Sequence, residues 1–423
     1  MPKRFATYDA LLSHLDALGL FHMDLSLGRM ERFLERTGLS RPPFYALHVV
    51  GTNGKGSTCA FLDALLRAHG VETGLYASPH FCDVRERVKR DGRPLPEDAF
   101  LAAANRIAEP AGELGLTYFE FLTALALSAF AAAPAAPATP DDPGSEPVRA
   151  AVLEAGLGGR FDAVTALSRD LLVFTSIGLD HMKVLGPDIA SIARDKAGAM
   201  RPGLPVLCAR QEPEAMRELE NQARLLGCPL EVVEPLPPGT PLGLDGPHQR
   251  QNVALALAAF RRAAGPLGVL SDPKAEARAL ATAFLPGRMQ RVPAGEGHAA
   301  LILDGAHNAP GLAALGAALE ESGQRPGAVV FACFADKDVQ GLAPLVLALS
   351  EGPVVVPRLN VSGRESDHAA VARIIGPRAV PVASLDTALA LTAEHGLVLV
   401  CGSLYLLGEF FTKHPRLLLP PHD

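Results

Sequence analysis

Short runs of Val, Leu and Ile alternate along the chain with longer Ala-, Leu- and Arg-rich segments whose apolar positions recur at helical spacing. The runs are YALHVV (45–50), AVLEAG (151–156), LLVFTSIG (171–178), LILDGA (301–306), AVVFACF (328–334) and LVLVCGS (397–403). Strands this uniformly apolar must be covered on both faces, and helices between them supply the cover, which predicts a doubly wound, mostly parallel α/β fold. Two segments break the alternation. AAAPAAPATPDDPGSEP (131–147) holds five prolines and cannot be helix or central strand, so a loop over 134–147 is expected between a helix and the strand at 151. At LPGRMQRV (285–292) a helical segment ends on Pro286 and Gly287 and a new strand-and-helix alternation begins, which places a domain boundary between residues 1–286 and 287–423. No internal repeat is visible.

Composition narrows the function classes. At 423 residues with 48% hydrophobic and 20% charged residues, the chain is long and apolar enough for two or three packed domains. Its formal charge of -7, from 39 basic and 46 acidic residues, offers no broad positive surface for nucleic acid. Only eight of the basic residues are lysines, so each one invites inspection. Six cysteines, Cys59, Cys82, Cys208, Cys228, Cys333 and Cys401, show no metal-type or redox pairing, read as small core hydrophobes and suit a reducing compartment. The N-terminus lacks an apolar signal core and no run reaches membrane-spanning length; a cytoplasmic protein with no membrane partner is expected.

The strongest chemical signal is GTNGKGST, comprising Gly51, Thr52, Asn53, Gly54, Lys55, Gly56, Ser57 and Thr58, between a strand and a helix. Glycines let backbone N–H groups converge on phosphate oxygens, and the following helix directs its positive end at them. Lys55 is placed to contact the outer phosphates of ATP and Ser57 to ligate Mg²⁺. Because Gly56 follows Lys55, the string departs from a strict GxxxxGK(S/T) motif. Glu154, at the end of another expected strand in EAGLGGRFDAVTA, would face the same crevice and complete a Mg²⁺ shell. TSIGLDHMKVLG brings Asp180 and His181 to that edge. In IASIARDKAGAM, Lys196 lies beside Arg194 and Asp195, and spacing alone reads the three as a solvated charge cluster. LDGAHNAPG sets Asp304, His307 and Asn308 in a strand-to-helix turn, suited to nucleotide or to a second substrate, and Arg288 can reach phosphate or a developing anion.

In order and spacing, the segments DLSLGRMERFLERTG, HVVGTNGKGST, YASPHFCDVRERV, LTYFEFLTALAL, VLEAGLGGRFDAV, TSIGLDHMKVLGPDIASIARDKAGAM, QNVALALAAF, LPGRMQRV, LDGAHNAPG, FADKDV and VCGSLYLLGE resemble the folylpolyglutamate synthase family, including its bifunctional bacterial form that is also a dihydrofolate synthase. They span residues 24–409. The GKGS form distinguishes the chain from the related Mur ligases, which typically carry Thr or Ser directly after the motif lysine.

The resemblance implies an N-terminal P-loop ATPase domain with a mostly parallel sheet and a smaller Rossmann-like glutamate ligase domain, using ATP and two Mg²⁺ ions. It implies Ser57, Ser78, Glu154 and His181 as metal ligands or their neighbours, and Lys196 as a carbamylated ligand, against its reading as solvated charge. Asn252, Arg288 and Asp304 match nucleotide contacts, with His307 facing the phosphates. Leu25, Ser26 and Leu27, Thr117, Tyr118, Phe119 and Glu120, and Phe161, Asp162 and Ala163 match the pterin side. The implied reaction joins L-glutamate to tetrahydrofolate, or to dihydropteroate, through an acyl phosphate, with Lys55, Glu154, His181, Lys196 and Arg288 as the catalytic set. A monomer is expected. The chain departs from the pattern in its long Pro-rich insert, in Ala309 after the Asn of DGAHNA, and in LSL (25–27). A ligase acting on a peptidoglycan precursor, and a nucleotide-gated binding protein without ligase chemistry, are the competing readings.

Overall fold

The computed structural model describes residues 4–19, 26–131, 146–334, 337–361, 364–365 and 367–420. They gather into two compact units: Met1–His80 with Val84–Leu236 and Gln251–Thr282, and Phe81–Asp83 with Pro237–Arg250 and Ala283–Asp423.

The larger unit holds one eight-stranded sheet made of β1 (Tyr45–Val50), β2 (Thr73–Tyr76), β3 (Val88–Arg90), β4 (Arg93–Pro94), β5 (Ala150–Glu154), β6 (Leu171–Phe174), β7 (Val206–Ala209) and β8 (Leu230–Val233). Their order is β4-β3-β2-β5-β1-β6-β7-β8. From β2 to β8 all pairings are parallel, while β3 and β4 form an antiparallel edge. Every residue of β2, β5, β6 and β7 is buried, as the apolar runs require. The helix Lys55–Ala68 carries the chain from β1 past β5 to β2, whereas β6 lies on the other side of β1. The winding therefore reverses at β1, and a crevice opens beyond its carboxyl end.

Helix Tyr118–Phe130 is apolar almost all round and buried throughout all but Phe119. Its start is fixed by a capping box in which the Thr117 hydroxyl accepts from the Glu120 N–H and the Glu120 carboxylate accepts from the Thr117 N–H at 2.8 Å. The Pro-rich expectation at 134–147 falls outside the described residues, apart from 146 and 147.

In the smaller unit, β9 (Gln290–Val292), β10 (Ala300–Leu303), β11 (Ala328–Phe331), β12 (Val354–Pro357), β15 (Ala379–Val382) and β16 (Leu397–Cys401) form a sheet of order β15-β12-β11-β16-β10-β9. The short β13 (Asn360–Val361) and β14 (Arg364–Glu365) pair only with each other. All sheet pairings are parallel except that of β9. Alternate residues of the central strands enter two cores: Ile302, Val329, Phe331 and Leu399 one, Leu301, Leu303, Val330 and Val400 the other. Phe81 joins this second core, its ring 4.9 Å from that of Phe411.

Two expectations need correction. Five cysteines are buried, but Cys82 is exposed, because the turn carrying it lies over the surface of the final helix, where its thiol meets the Gly408 carbonyl at 3.8 Å. The strand expected over 171–178 ends at Phe174; Thr175 still bonds to Val50 at the end of β1, whereas Ser176 and Gly178 bond to the turn after β1 and Ile177 to Gln211. Among the described residues no helix is long and apolar enough to cross a membrane.

Gly74 in β2 admits no side chain, since a Cβ there would lie 2.6 Å from the fully buried Phe130 ring. Gly74→Ala should lower unfolding free energy by about 1–3 kcal/mol in urea titration. An unchanged midpoint would mean that Phe130 can move aside.

Candidate active site

In the larger unit the site starts from the turn between β1 and helix Lys55–Ala68. Gly51 sits so close to Thr175 that any side chain would collide with the threonine hydroxyl. The N–H groups of Thr52 and Asn53 both donate to the Ser176 carbonyl, at 2.8 and 3.2 Å, and the Thr52 hydroxyl exchanges hydrogen bonds with Gly178. Gln211, just beyond β7, steadies the other side of that loop by donating to the Thr175 carbonyl at 2.9 Å and accepting from the Ile177 N–H at 2.9 Å. Gly54 caps the helix at φ +85°, where a side chain would both strain the backbone and strike the Asn252 carboxamide. Asn252 is thus brought against the turn. Lys55 folds back to donate to the Thr52 carbonyl at 3.2 Å, and Ser57 is buried two residues further along the first turn of the helix.

Glu154 terminates β5 beside β1, buried, with one carboxylate oxygen accepting from the Ser78 N–H at 3.1 Å. Ser78 lies just past β2, so three neighbouring strands bring Gly51, Glu154 and Ser78 to the same edge of the sheet. Asp162 closes the loop after β5: its carboxylate accepts from the N–H groups of Gly156, Leu157 and Val164 at 2.8, 3.1 and 3.0 Å. Burial pushes its pKa up to about 6, against the pull of these amides and of Lys55.

Lys196 is not solvated. Its side chain is buried on helix Ile189–Ala197, and Nζ donates to the Gly51 carbonyl at 2.9 Å. Burial lowers its pKa to about 7; Lys55 adds repulsion, and Asp195, Asp162 and Asp180 oppose the shift. The charge-cluster reading holds only for exposed Arg194, paired with Glu218 at 2.8 Å. Asp195 accepts from the Gly159 N–H at 3.0 Å, holding the loop after β5 against the lysine. Asp180 and His181 come well after the end of β6; His181 is exposed and adopts φ +49°, a conformation costly for a residue with a Cβ.

Among the described residues no group of three or more His, Cys, Asp or Glu is placed to hold a metal ion. The hydroxyl of Ser57 and the carboxylate of Glu154 are nonetheless hard oxygen donors and fit Mg²⁺, which keeps several waters and draws further ligands from substrate phosphates.

The expected pterin set is partly accounted for by internal bonding. Leu25 lies outside the described residues; Ser26 accepts from the Gly28 N–H at 3.3 Å, and the Leu27 carbonyl accepts the first bond of helix Gly28–Thr37. Glu120 carries the capping box and pairs with Arg29 at 3.0 Å, while its Oε1 is buried with no hydrogen-bond partner. Phe119 fills the space a Cβ at Gly156 would need and packs on Tyr76, with Tyr118 buried alongside. Ala163 is buried, but Phe161 exposes 40% of its surface beside this loop.

In the smaller unit, Asp304 follows β10 and its carboxylate accepts from the N–H groups of Met289 and Ala306 at 2.9 and 2.8 Å. Arg288 donates to the Gly287 carbonyl at 3.0 Å and presses against Gly305. His307 Nδ1 bonds to the Gly305 carbonyl at 2.8 Å, and Asn308 caps helix Ala309–Glu321 through the Gly311 N–H. His248, unnoticed in the sequence, is held below its usual pKa by burial, and Arg288 contributes to the lowering. Ser403, quoted in VCGSLYLLGE but given no role, caps the final helix, next to Gly402, whose N–H donates to the Ala306 carbonyl. Gln211 and Arg169 carry no motif signal at all.

A family model described as the Mur ligase glutamate ligase domain matches residues 287–404. A folylpolyglutamate synthase of Arabidopsis thaliana is 40% identical over 288 residues, which cover 62% of this chain and 48% of the plant protein; the match spans about half of that relative's length. The dihydrofolate synthase/folylpolyglutamate synthase of Escherichia coli is 32% identical over 434 residues, covering 96% of this chain and 94% of that protein. Among solved structures, the bifunctional folylpolyglutamate synthase/dihydrofolate synthase of Yersinia pestis, complexed with AMPPNP and a Mn ion, superposes with TM-score 0.83 at 28% identity, covering 98% of this chain and 100% of that one.

Arg169 is a buried staple in the larger unit, donating to the carbonyls of Thr165, in the loop after β5, at 3.2 Å and of Ala199, just past helix Ile189–Ala197, at 2.8 Å. Arg169→Met should remove the donor to the Ala199 carbonyl, while Arg201 still reaches the Thr165 carbonyl at 3.2 Å, and cost about 1–3 kcal/mol of stability in urea unfolding. A loss well below that would mean that the two loops do not need the guanidinium.

Proposed function

The chain belongs to the folylpolyglutamate synthase family, and on that premise we propose that it is an ATP-dependent ligase joining L-glutamate to tetrahydrofolate and to dihydropteroate. The observation that carries this reading is the phosphate-type turn at Gly51–Ser57 with Glu154, Ser78 and Lys196 brought to the same edge. We assign ATP binding and phosphoryl transfer to the part before residue 287, and glutamate ligation to the part that the family model matches, 287–404. A monomer in a reducing, cytoplasmic compartment is the companion proposal, supported by six cysteines without a disulfide among them.

In this mechanism an acceptor carboxylate attacks the γ-phosphate of ATP, giving an acyl phosphate and ADP. The glutamate amine then attacks the acyl carbon and phosphate departs. The first step brings anions together, so its main requirement is positive charge fixed in advance. Lys55 meets that need beside the turn, and Arg288 supplies a second cation. Ser57, Ser78, Glu154 and His181 would hold Mg²⁺, which would supply charge neutralisation at the phosphates. Gly51 to Gly54 contribute backbone donors and the N-terminus of the helix that follows. Asn252, Asp304 and His307 complete the nucleotide contacts, and Ser26, Leu27, the segment 117–120 and the segment 161–163 the pterin side.

Lys196 enters as a carbamate. A pKa of about 7 leaves a large neutral fraction near neutrality, and a neutral amine adds to CO₂ with release of one proton to water. The product keeps one N–H, so the bond to the Gly51 carbonyl can persist while the side chain becomes an oxygen ligand.

Two measurements test this. Lys55→Ala should reduce ADP release dependent on acceptor and glutamate by about 10²-fold or more while leaving the unfolding midpoint near that of the parent; full activity would refute the assignment of the turn. In ¹³C-bicarbonate, NMR should show a protein carbamate carbon that strengthens as pH rises through about 7 and is missing in Lys196→Arg. No such signal at high bicarbonate would remove the carbamate from the mechanism.

A further inference from the structure

One buried cation near the site has no role in the mechanism above. Arg87 ends the single turn Val84–Arg87 that leads into β3, and only 4% of it is exposed. Its Nε donates to His80 Nδ1 at 2.8 Å, and its guanidinium carbon lies 5.6 Å from the centre of the Tyr118 ring. Its carbonyl accepts from the Ala77 N–H at 3.0 Å, so backbone and side chain both hold the stretch from Ala77 to His80 that contains Ser78.

What Arg87 lacks is an anion. Among the described residues no carboxylate lies within ion-pair distance of it, and neither Nη group makes a hydrogen bond. Two other guanidiniums of the unit have partners for their outer atoms or their charge: half-buried Arg29 pairs with Glu120, and both Nη groups of Arg169 donate to backbone carbonyls. An unneutralised buried charge is expensive, and a protein retains one where a ligand supplies the counter-charge. The Nη groups are not among the buried polar atoms sealed away without a partner. The planar fork of arginine matches a carboxylate through two parallel hydrogen bonds, and His80 and Tyr118 fix the plane in which the fork lies.

We propose that Arg87, oriented by His80 and backed by the Tyr118 ring, is the anchor for a carboxylate of the acid acceptor. This rests on the ligase reading above and names the group that distinguishes an acid substrate from a bare pterin. Two features favour the acceptor over free glutamate. Ser78, hydrogen-bonded to Glu154, stands two residues before His80, and Tyr118 belongs to the segment matched to the pterin side. Phosphate already has its own cradle at Gly51–Ser57.

The test compares the full chain with Arg87→Gln and Arg87→Lys, using tetrahydrofolate, L-glutamate and ATP as varied substrates. Arg87→Gln should raise the KM for tetrahydrofolate roughly 10- to 100-fold, the loss expected for one charge-assisted pair, with KM for ATP within about 2-fold. Arg87→Lys, which keeps the charge but not the fork, should fall between, and its unfolding midpoint guards against a folding defect in the Gln variant. A rise confined to the KM for L-glutamate, or no change in either, would overturn the assignment. Equilibrium dialysis of labelled tetrahydrofolate reads the same contact without turnover. A parent protein that binds tetrahydrofolate through Arg87 yet releases no ADP would refute the ligase reading and leave this inference standing. Binding undiminished in both variants would refute the inference alone.

Discussion

The hydrogen bond from the Lys196 amine to the Gly51 carbonyl is the constraint around which the larger unit is arranged. It requires a lysine to be carried into the interior, and the cost of removing an ammonium group from water is met by giving up charge, hence the pKa near 7. It also fixes the separation between the end of β1 and helix Ile189–Ala197. The loop after β5 is locked to the same helix by the Gly159 N–H and by the Arg160 N–H, which donates to the Asp195 carbonyl at 2.9 Å. Three stretches far apart in sequence thus share one short span of backbone, and the identities of Gly51 and Gly159 follow from the lack of space there.

Charge is managed differently around Gly51 and around Asp304. Around Gly51 the field is mixed: Lys55 and Lys196 repel, Asp162 and Asp180 compensate, and both Lys196 and Asp162 have pKa values drawn toward neutrality. Groups so poised change protonation at little cost when a polyanionic nucleotide arrives. In the smaller unit Asp304 bonds to backbone amides, each oxygen with a lone pair to spare, and serves first to shape the turns that present Arg288 and His307.

The fold was legible because its strands are buried on both faces: every apolar run singled out contains a strand, and the glycine-rich turn lies where strand gives way to helix. Ends were less legible. LLVFTSIG reads as one apolar run, yet its second half serves the turn at Thr52 and Asn53, a demand that hydropathy does not encode. Lys196 was misread from spacing because Arg194 and Asp195 flank it; on a helix these three point in different directions, and only the lysine faces inward. Gln211 and Arg169 act on backbone carbonyls, which any sequence possesses, so nothing at the level of residue type announces them.

The path of the chain at Phe81–Asp83 bears on what can be cut from this protein. These three residues cluster with the smaller unit, although His80 before them and Val84 after them cluster with the larger, and residues 237–250 do the same. The Phe81 backbone fills the space a Cβ at Gly408 would occupy, and its ring covers Phe411. A gene fragment starting near residue 283 would encode the second sheet while omitting part of its apolar cover. The smaller unit is compact in space without being contiguous in the gene, and shuffling it between homologues as a block would have to carry two upstream patches along with it.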